Sequence, residues 1–200
     1  MAQLALLHRT DPTFDPALPS LRRIALGEGA WVDHAPSWIE GSTTLFEHLR
    51  DGTTWHASRR RMYDRVVDVP RLTAGLPSDG PGHPILEAIA AVLSRRYEAE
   101  LSRIGLALYR DGDDSVAFHR DKVLCDRHEA IVAILSLGAT RPFALRPHHA
   151  RGRSIVLRPG WGDLLVMGGT CQRLFEHGVP KVKHAAPRIS VMFRDPAVTR

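Results

Sequence analysis

Residues 118–121, Phe118-His119-Arg120-Asp121, place an imidazole and a carboxylate two positions apart. In an extended strand, residues two apart point to the same face, so His119 and Asp121 would present their side chains together. A second segment, Glu176-His177-Gly178, could supply another imidazole from a neighbouring strand. Two histidines and one carboxylate on one side of a metal ion, with the other side open, are typical of non-haem Fe(II) sites. The pattern predicts a metal centre of His119, Asp121 and His177.

The closing segment, Arg188-Ile189-Ser190-Val191-Met192-Phe193-Arg194, carries two arginines six positions apart. Because six is an even number, both guanidinium groups would leave the same face of one strand. A guanidinium meets a carboxylate with two parallel hydrogen bonds and keeps its charge at ordinary pH. Arg188 and Arg194 therefore predict a site for a small dianionic acid beside the metal.

The chain around these motifs has the texture of a β-rich fold. After residue 104, short apolar or alternating runs are separated by Gly, Pro or Asp turn signals. The predicted strands are 104–110, 115–123, 130–138, 142–146, 153–158, 163–167, 173–179 and 188–194. Short strands at this spacing indicate a β-sandwich or jelly roll.

The first hundred residues carry weaker signals. Apolar residues at helical spacing predict a helix over 84–102 that braces the outside of a sheet. A shorter helix is predicted over 36–49, with Ser42 or Thr43 as its cap. Residues 70–84 are rich in proline and glycine, which predicts a surface loop.

Composition bounds the class of protein. The 200 residues are 44% hydrophobic and 24% charged, which is typical of one folded domain and excludes a disordered chain. A net charge of +5 favours a polyanionic partner without proving one. Cys125 and Cys171 match neither a disulfide framework nor a zinc site, and the apolar run before His8 is too short for a membrane span or signal peptide. We expect a cytoplasmic protein without membrane contact.

Two basic segments each allow two interpretations. The first, residues 53–63, combines aromatic side chains with consecutive arginines; its candidate substrate-binding residues are Trp55, Arg59, Arg60, Arg61 and Tyr63. It is either a solvated basic loop or a loop whose arginines meet phosphates while an aromatic ring stacks on an extruded base. The second runs from Arg141 to Arg158 and includes Arg146, His148, His149, Arg151 and Arg153. It is either a phosphate-binding surface or a solvated hairpin.

Taken together, the motifs resemble those of the AlkB-type Fe(II)/2-oxoglutarate dioxygenases, which oxidatively demethylate nucleic-acid bases. The shared order is His-x-Asp, a distant His, and two arginines with five residues between them. The flanking segments agree as well: they are Tyr109-Arg110-Asp111-Gly112, Ser136-Leu137-Gly138 and Leu174-Phe175-Glu176-His177-Gly178. The likeness covers roughly residues 100–195 well and the first hundred residues poorly.

The resemblance implies a mainly β fold with flanking helices (α+β), a double-stranded β-helix or jelly roll. In a single domain over 1–200, residues 1–103 would hold N-terminal helices and a nucleotide-recognition lid, and 104–195 the catalytic core. Fe(II), 2-oxoglutarate and O2 are the implied cofactor and cosubstrates. The implied partner of a monomeric enzyme is nucleic acid, as single-stranded or flipped-base DNA. The implied DNA-repair activity is oxidative dealkylation of N-alkylated bases, releasing formaldehyde, succinate and CO2.

By the same resemblance, Arg188 would bind the distal carboxylate of 2-oxoglutarate with help from the Tyr109 hydroxyl, and Arg194 would lie near the metal-chelating end. Ser190 stands where the family often has an asparagine, as does Ala107. Each replacement would lose or shorten one hydrogen bond, at a cost of about 0.5–1.5 kcal/mol.

Two further positions bear on the site. His184 is a rival third ligand, but the Glu-His-Gly context of His177 matches the family motif better. Val123 lies two residues beyond Asp121, where repair enzymes of the family commonly carry an acidic residue that reads the base. Since valine accepts no hydrogen bond, the preferred base would differ, or the substrate would be a protein or small molecule. A third alternative is a catalytically silent nucleic-acid-binding module, against which the intact ligand and arginine set argues.

Overall fold

The computed structural model describes residues 10–62, 65–121, 124, 129–148 and 154–197, with the backbone alone at 58–62 and 65–68. Its helices are α1 (Ser42–Gly52), α2 (Pro84–Tyr97) and α3 (Cys171–Leu174). Its strands are β1 (Thr13–Phe14), β2 (Arg22–Gly27), β3 (Ala30–Ala35), β4 (Ile39–Glu40), β5 (His56–Met62), β6 (Arg65–Leu76), β7 (Arg103–Tyr109), β8 (Val116–His119), β9 (Val132–Gly138), β10 (Phe143–Pro147), β11 (Ile155–Leu157), β12 (Leu164–Gly169), β13 (Phe175–Val179) and β14 (Arg188–Arg194).

The strands form two main antiparallel sheets. The larger sheet has the order β2-β3-β12-β9-β14-β7-β6-β5, and the smaller has the order β11-β10-β13-β8. From β7 onward the chain passes back and forth between the two sheets, which is how a jelly roll is wound. The predicted mainly β fold is confirmed, and each of the strands expected after residue 104 is present within a few residues of its predicted bounds.

Strand β14, in the middle of the larger sheet, shows how that sheet serves two cores. Its outward-pointing side chains are Ile189, Val191 and Phe193, and its inward-pointing ones are Arg188, Ser190, Met192 and Arg194. The outward set packs with α1 and α2 in what we call the outer core. The inner core lies between the two sheets and includes Tyr109, Phe143 and Leu145. The inner face of β14 is thus the one that carries polar and charged groups.

Helix α2 forms where its sequence has both a start signal and an apolar face. Pro84 occupies the first turn, where its missing N–H costs nothing, and the His83 side chain accepts a hydrogen bond from the Ile85 amide. The buried residues Ile85, Leu86, Ile89, Ala90 and Leu93 follow helical spacing and enter the outer core. The helix ends at Tyr97, before the predicted limit of 102, because Glu98 adopts a left-handed conformation.

The prediction of a helix over 36–49 was wrong at its start. Ile39 belongs to β4, and α1 begins at Ser42. The N-cap is Gly41, with a φ of 65°, and no side chain caps the helix, so neither Ser42 nor Thr43 has the predicted role. Apolar residues that line one face of a helix also suit a short strand, and the turn at Gly41 separates the two.

The loops predicted over 53–63 and 70–84 were also largely wrong, because β5 and β6 form an antiparallel hairpin there. Strand β6 continues into the larger sheet by pairing with β7 over Leu72–Leu76. Pro70 lies where the register of the β5 and β6 pair shifts, so its missing N–H removes no ladder hydrogen bond. Part of the 70–84 segment, after Leu76, is a turn as expected.

Strands from the first hundred residues belong to the same large sheet as the strands of the predicted core. The expected N-terminal helices are accompanied there by β2, β3, β5 and β6. The division at residue 103 stays a prediction. Within the described ranges, every helix is too short or too polar to cross a membrane.

Candidate active site

The smaller sheet brings the two predicted histidine ligands together. Strands β8 and β13 pair antiparallel with His177 directly opposite His119, and the ring centroids lie 4.4 Å apart. This close approach requires glycine at position 178, since a Cβ there would lie 2.9 Å from the Val116 carbonyl oxygen. The glycine of the Glu-His-Gly segment therefore serves the packing of the strand that presents the ligand.

Asp121 completes the cluster. One potential ligand atom from each of His119, Asp121 and His177 lies within 4.8 Å of the others, and this is the only such cluster found among the described residues. Nδ1 of His119 lies 3.0 Å from the carbonyl oxygen of Ala117 and donates a hydrogen bond to it. Nε2 is then the ring nitrogen that has a free lone pair. Nε2 is also the nitrogen that faces Asp121, 4.0 Å from Oδ1. All three predicted ligands thus converge.

Burial gives His177 the protonation state that a metal needs. Its pKa falls to about 3, chiefly through burial and then through the neighbouring His119. The imidazole is therefore neutral at pH 7, with a lone pair to donate. Two imidazoles and one carboxylate are a donor set that suits Fe(II).

A buried oxygen tests whether a cation fits. Among the described residues, Oδ2 of Asp121 accepts no hydrogen bond, although it forms an ion pair with Nη2 of Arg194 at 3.3 Å. A buried carboxylate oxygen without a hydrogen bond can still bind a further cation. Because the two imidazoles converge on the same place, the residues present fit a metal ion there.

The second polar centre lies at the start of β14. Arg188 is 1% exposed, and its Nη2 donates to the Ser136 hydroxyl over 2.7 Å. Its Nε and Nη1 atoms are buried without partners among the described residues. Burial lowers the pKa of Arg188 to about 10, so the group stays charged at pH 7. A buried guanidinium with two unpartnered nitrogen atoms is suited to donate hydrogen bonds to the carboxylate of a ligand.

The other predicted cosubstrate residues surround this group. Tyr109 is opposite Arg188 in the β7 and β14 register, with its ring centroid 5.5 Å from the guanidinium carbon. Ser190 is buried on the same face of β14, opposite Ala107. Arg194 is the last residue of β14 on that face and lies beside Asp121. The structure brings the metal cluster and the arginine pair to one interior, and their roles stay predictions.

The predicted substrate residues have mixed outcomes. The indole N–H of Trp55 donates to the Arg50 carbonyl over 2.9 Å, and the ring packs against the outer core. Trp55 therefore anchors the corner after α1, on the face of the sheet opposite to the metal cluster. The three consecutive arginines lie in β5, and a base-contacting role for them stays a prediction; Tyr63 and Val123 lie outside the described residues.

Two of the described arginines in the second basic segment contact other groups of the protein, whereas Arg158 is exposed. Arg141 is completely buried. The Arg146 guanidinium lies 4.0 Å from the Phe118 ring centroid and pairs with Glu176 over 2.8 Å, and Glu176 also contacts His148 at 3.0 Å. Arg141 is therefore not part of a phosphate-binding surface, and both interpretations of the rest of the segment stay predictions. Its members His149, Arg151 and Arg153 lie outside the described residues.

The sequence did not identify three residues, Ser136, Arg71 and Arg141, as members of the site. Ser136 was noted as part of a motif, but nothing in its position along a strand indicates that it bonds Arg188. Arg71 follows the inner-face alternation of β6, and its charge contributes, after burial and His119, to the low pKa of His177. Arg141 was assigned to a surface.

Comparison with known proteins finds a family and several relatives that match this chain. The model of the 2OG-Fe(II) oxygenase superfamily matches residues 78–194. The chain is 29% identical over 177 residues to Alpha-ketoglutarate-dependent dioxygenase alkB homolog 3 of Bos taurus, covering 78% of this chain and 62% of that protein. It is 29% identical over 128 residues to DNA oxidative demethylase ALKBH2 of Bos taurus, covering 58% of this chain and 45% of that protein. The chain thus spans about half the length of these curated relatives.

Solved structures support the fold. The structure of OsALKBH1 superposes with a TM-score of 0.58 at 15% identity, covering 87% of this chain and all of that one. A prolyl hydroxylase from Trichoplax adhaerens superposes with a TM-score of 0.57 at 12% identity, covering 84% of each chain. At these identities the likeness concerns the fold alone.

Proposed function

The chain belongs to the 2OG-Fe(II) oxygenase superfamily, and from this membership we propose that it catalyses the oxidative dealkylation of N-alkylated nucleic-acid bases. For a methylated base, the reaction consumes O2 and 2-oxoglutarate and releases succinate, CO2, formaldehyde and the restored base. The oxygenase part of this proposal rests on two polar groups in the same interior whose buried atoms lack hydrogen-bond partners. Among the described residues, one oxygen of Asp121 has the Arg194 ion pair but accepts no hydrogen bond, and two nitrogens of Arg188 donate none.

The metal would be held by His119, Asp121 and His177. When bound there, Fe(II) supplies the activation of O2 that lets a C–H bond next to nitrogen be oxidised. The chain supplies two imidazole nitrogen ligands and one carboxylate oxygen. The contact of His119 with the Ala117 carbonyl fixes which ring nitrogen faces the ion, as partners of metal-binding histidines generally do.

The cosubstrate would lie between the metal cluster and Arg188. The unpartnered N–H groups of Arg188 would donate to its distal carboxylate, while the hydrogen bond from Nη2 to Ser136 fixes the plane of the guanidinium. Tyr109 closes one side of that pocket. Arg194 places a positive charge beside Asp121, where it can face the metal-chelating end of 2-oxoglutarate. Fixed donors at both ends orient the acid before reaction.

Nucleic acid is the substrate class that the sequence relatives support. The relatives named above are called an alkB homolog and a DNA oxidative demethylase. A base must leave its stack to reach a buried metal, and alkylation of the pairing edge lowers the cost of doing so. The net charge of +5 and the partly buried Arg71 on the inner face favour an anionic strand at the entrance.

The test is formaldehyde release from single-stranded DNA that carries 1-methyladenine or 3-methylcytosine. We expect formaldehyde and succinate in equal amounts, dependent on Fe(II) and 2-oxoglutarate. His177→Ala should reduce both by about a thousandfold, because one metal ligand is lost. The matched control is His184→Ala, which removes an exposed imidazole outside the cluster and should keep turnover within about twofold.

Two outcomes separate the oxygenase from its substrate. Succinate without formaldehyde would mean a working oxygenase given the wrong substrate, and RNA, proteins and small molecules would then be tried. Full turnover by His177→Ala together with loss in His184→Ala would overturn the assignment of the ligand. A wild-type protein that binds DNA yet forms no succinate would favour the silent binding module.

A further inference from the structure

Arg141, a completely buried arginine between β9 and β10, has no role in the chemistry above. Its Nη1 donates to the carbonyl oxygen of Asp111 over 2.7 Å, and its Nη2 donates to those of Asp114 and Pro180 over 2.8 and 3.0 Å. These acceptors belong to two loops, one between β7 and β8 and one between β13 and β14. One guanidinium thus joins two loops that lie at the same end of the fold.

Those loops continue directly into the cosubstrate pocket. The first leaves β7 at Tyr109, and the second enters β14 at Arg188, which faces Tyr109 in the sheet. Two guanidinium groups lie over the Tyr109 ring, with its centroid 5.5 Å from the carbon of Arg188 and 5.7 Å from that of Arg141. Tyr109 is therefore in contact distance of both cations.

The charge of Arg141 is not cancelled by a carboxylate that bonds it. Its hydrogen bonds in the described part of the chain go to backbone carbonyls, and its Nε has no partner. The nearby carboxylate of Asp114 is held at 2.8 Å by both Nε and Nη2 of Arg110. Burial first, and then the charge of Arg141, lower the pKa of Arg188, so the two cations affect each other.

We propose that Arg141 is a positioning residue of the 2-oxoglutarate site, which holds the Tyr109 ring against Arg188 and adds a second fixed positive charge behind the distal carboxylate. The inference rests on the proposed function, because it takes 2-oxoglutarate to bind at Arg188. A fixed charge favours a dianion over a monoanion of the same length, since an uncharged distal end gains little from it. A residue that merely fastened two loops would affect both ligands alike.

The experiment compares Arg141→Lys with Arg141→Gln. Both variants lose the planar fork and keep a donor for a carbonyl, but only the lysine keeps the charge. Affinities for 2-oxoglutarate and the monoanionic 2-oxopentanoate are measured by anaerobic calorimetry on protein loaded with redox-inert Mn(II). We expect Arg141→Gln to raise the Kd of 2-oxoglutarate about tenfold and that of 2-oxopentanoate less than about threefold. Arg141→Lys should keep the preference for the dianion.

The matched control is Arg110→Met, which loosens the same loop from its exposed side by freeing Asp114 and leaves the buried charge in place. It should not change the ratio of the two affinities. Equal weakening of both ligands in the lysine and glutamine variants would overturn the inference. If Arg141→Gln does not fold, a folded Arg141→Lys that has lost the dianion preference would overturn it as well, and one that keeps the preference would support it. Failure of the wild type to bind 2-oxoglutarate would instead defeat the proposed function.

Discussion

The same strands form both faces of the larger sheet, yet the side chains of one face are fully packed and those of the other include polar atoms without partners. On the outer face, Ile189, Val191 and Phe193 are fully buried in the apolar core against the helices. On the inner face, Arg188 and Arg194 carry buried nitrogen atoms without hydrogen-bond partners among the described residues, and Asp121 nearby has an oxygen in the same condition. A strand can alternate between these two states because its side chains alternate in direction.

The difference separates the contacts that stabilise the fold from the groups that are available to bind a ligand. Burial of apolar surface on the outer face stabilises the protein by about 25 cal/mol for each Å² removed from water. Buried charged groups without partners cost free energy, which a ligand that binds the folded state can return. Substitutions on the two faces should therefore have opposite signatures: loss of stability on the outer face, and loss of binding on the inner one.

The largest expected effect is on the outer face. Phe193→Ala should lower the free energy of unfolding by about 3–5 kcal/mol, because it leaves a cavity at a fully buried position. Urea unfolding followed by circular dichroism measures this loss. The matched control is Met192→Ala, at the next position on the inner face, where the side chain is only partly buried. A greater loss from Met192→Ala than from Phe193→Ala would break the comparison.

The second effect is on the inner face and concerns binding. Arg188→Met removes a buried charge with two unpartnered nitrogens, so the free energy of unfolding of the ligand-free protein should stay the same or rise. The Kd of 2-oxoglutarate should increase by at least about thirtyfold, because the carboxylate loses its buried partner. Calorimetry and urea unfolding of the same preparations give both quantities. A drop in stability beyond about 2 kcal/mol with unchanged affinity would make Arg188 a structural residue.

The inner-face motifs could be predicted because their information is local. Even spacing along a strand fixes that Arg188 and Arg194 share a face. The same rule predicted that His119 and Asp121 lie together, and they do, although β8 ends at His119 and Asp121 follows the strand. The pairing of His177 with His119 across two strands has no such local signal. Its prediction depended on the donor set that a facial metal site needs and on the family resemblance.

Other features could not be predicted because they depend on contacts between distant segments. Strand β5 shows no apolar alternation, since consecutive arginines occupy it, and Pro70 in β6 is a signal that normally argues against a strand. Arg141 lies in a basic stretch, and burial among three carbonyls from two loops leaves no trace in that stretch. The bond from Arg188 to Ser136 joins residues 52 positions apart.

The smallest predicted effect concerns a carboxylate whose oxygens, unlike Oδ2 of Asp121, accept hydrogen bonds. The Asp163 side chain is 12% exposed, as is that of Asp121, but its oxygens meet His34 Nε2 at 3.0 Å, the Ser37 amide at 2.8 Å and the Gly160 amide at 3.2 Å. Burial would raise the pKa of Asp163, but these hydrogen bonds together hold it below its ordinary value. A carboxyl group with a lowered folded-state pKa contributes stability above its unfolded pKa and loses it as the pH falls through the folded value.

Asp163→Asn should therefore cost about 1 kcal/mol of unfolding free energy at pH 7, and the difference from the wild type should shrink below about pH 4. Urea unfolding at a series of pH values measures the difference. Because Asp163 lies outside the metal cluster, the affinity for 2-oxoglutarate at pH 7 should stay within about twofold of the wild type. A carboxylate whose acceptors are already satisfied belongs to the architecture, so a large loss of affinity in Asp163→Asn would show that hydrogen-bond completeness does not separate structural from functional polar groups in this fold.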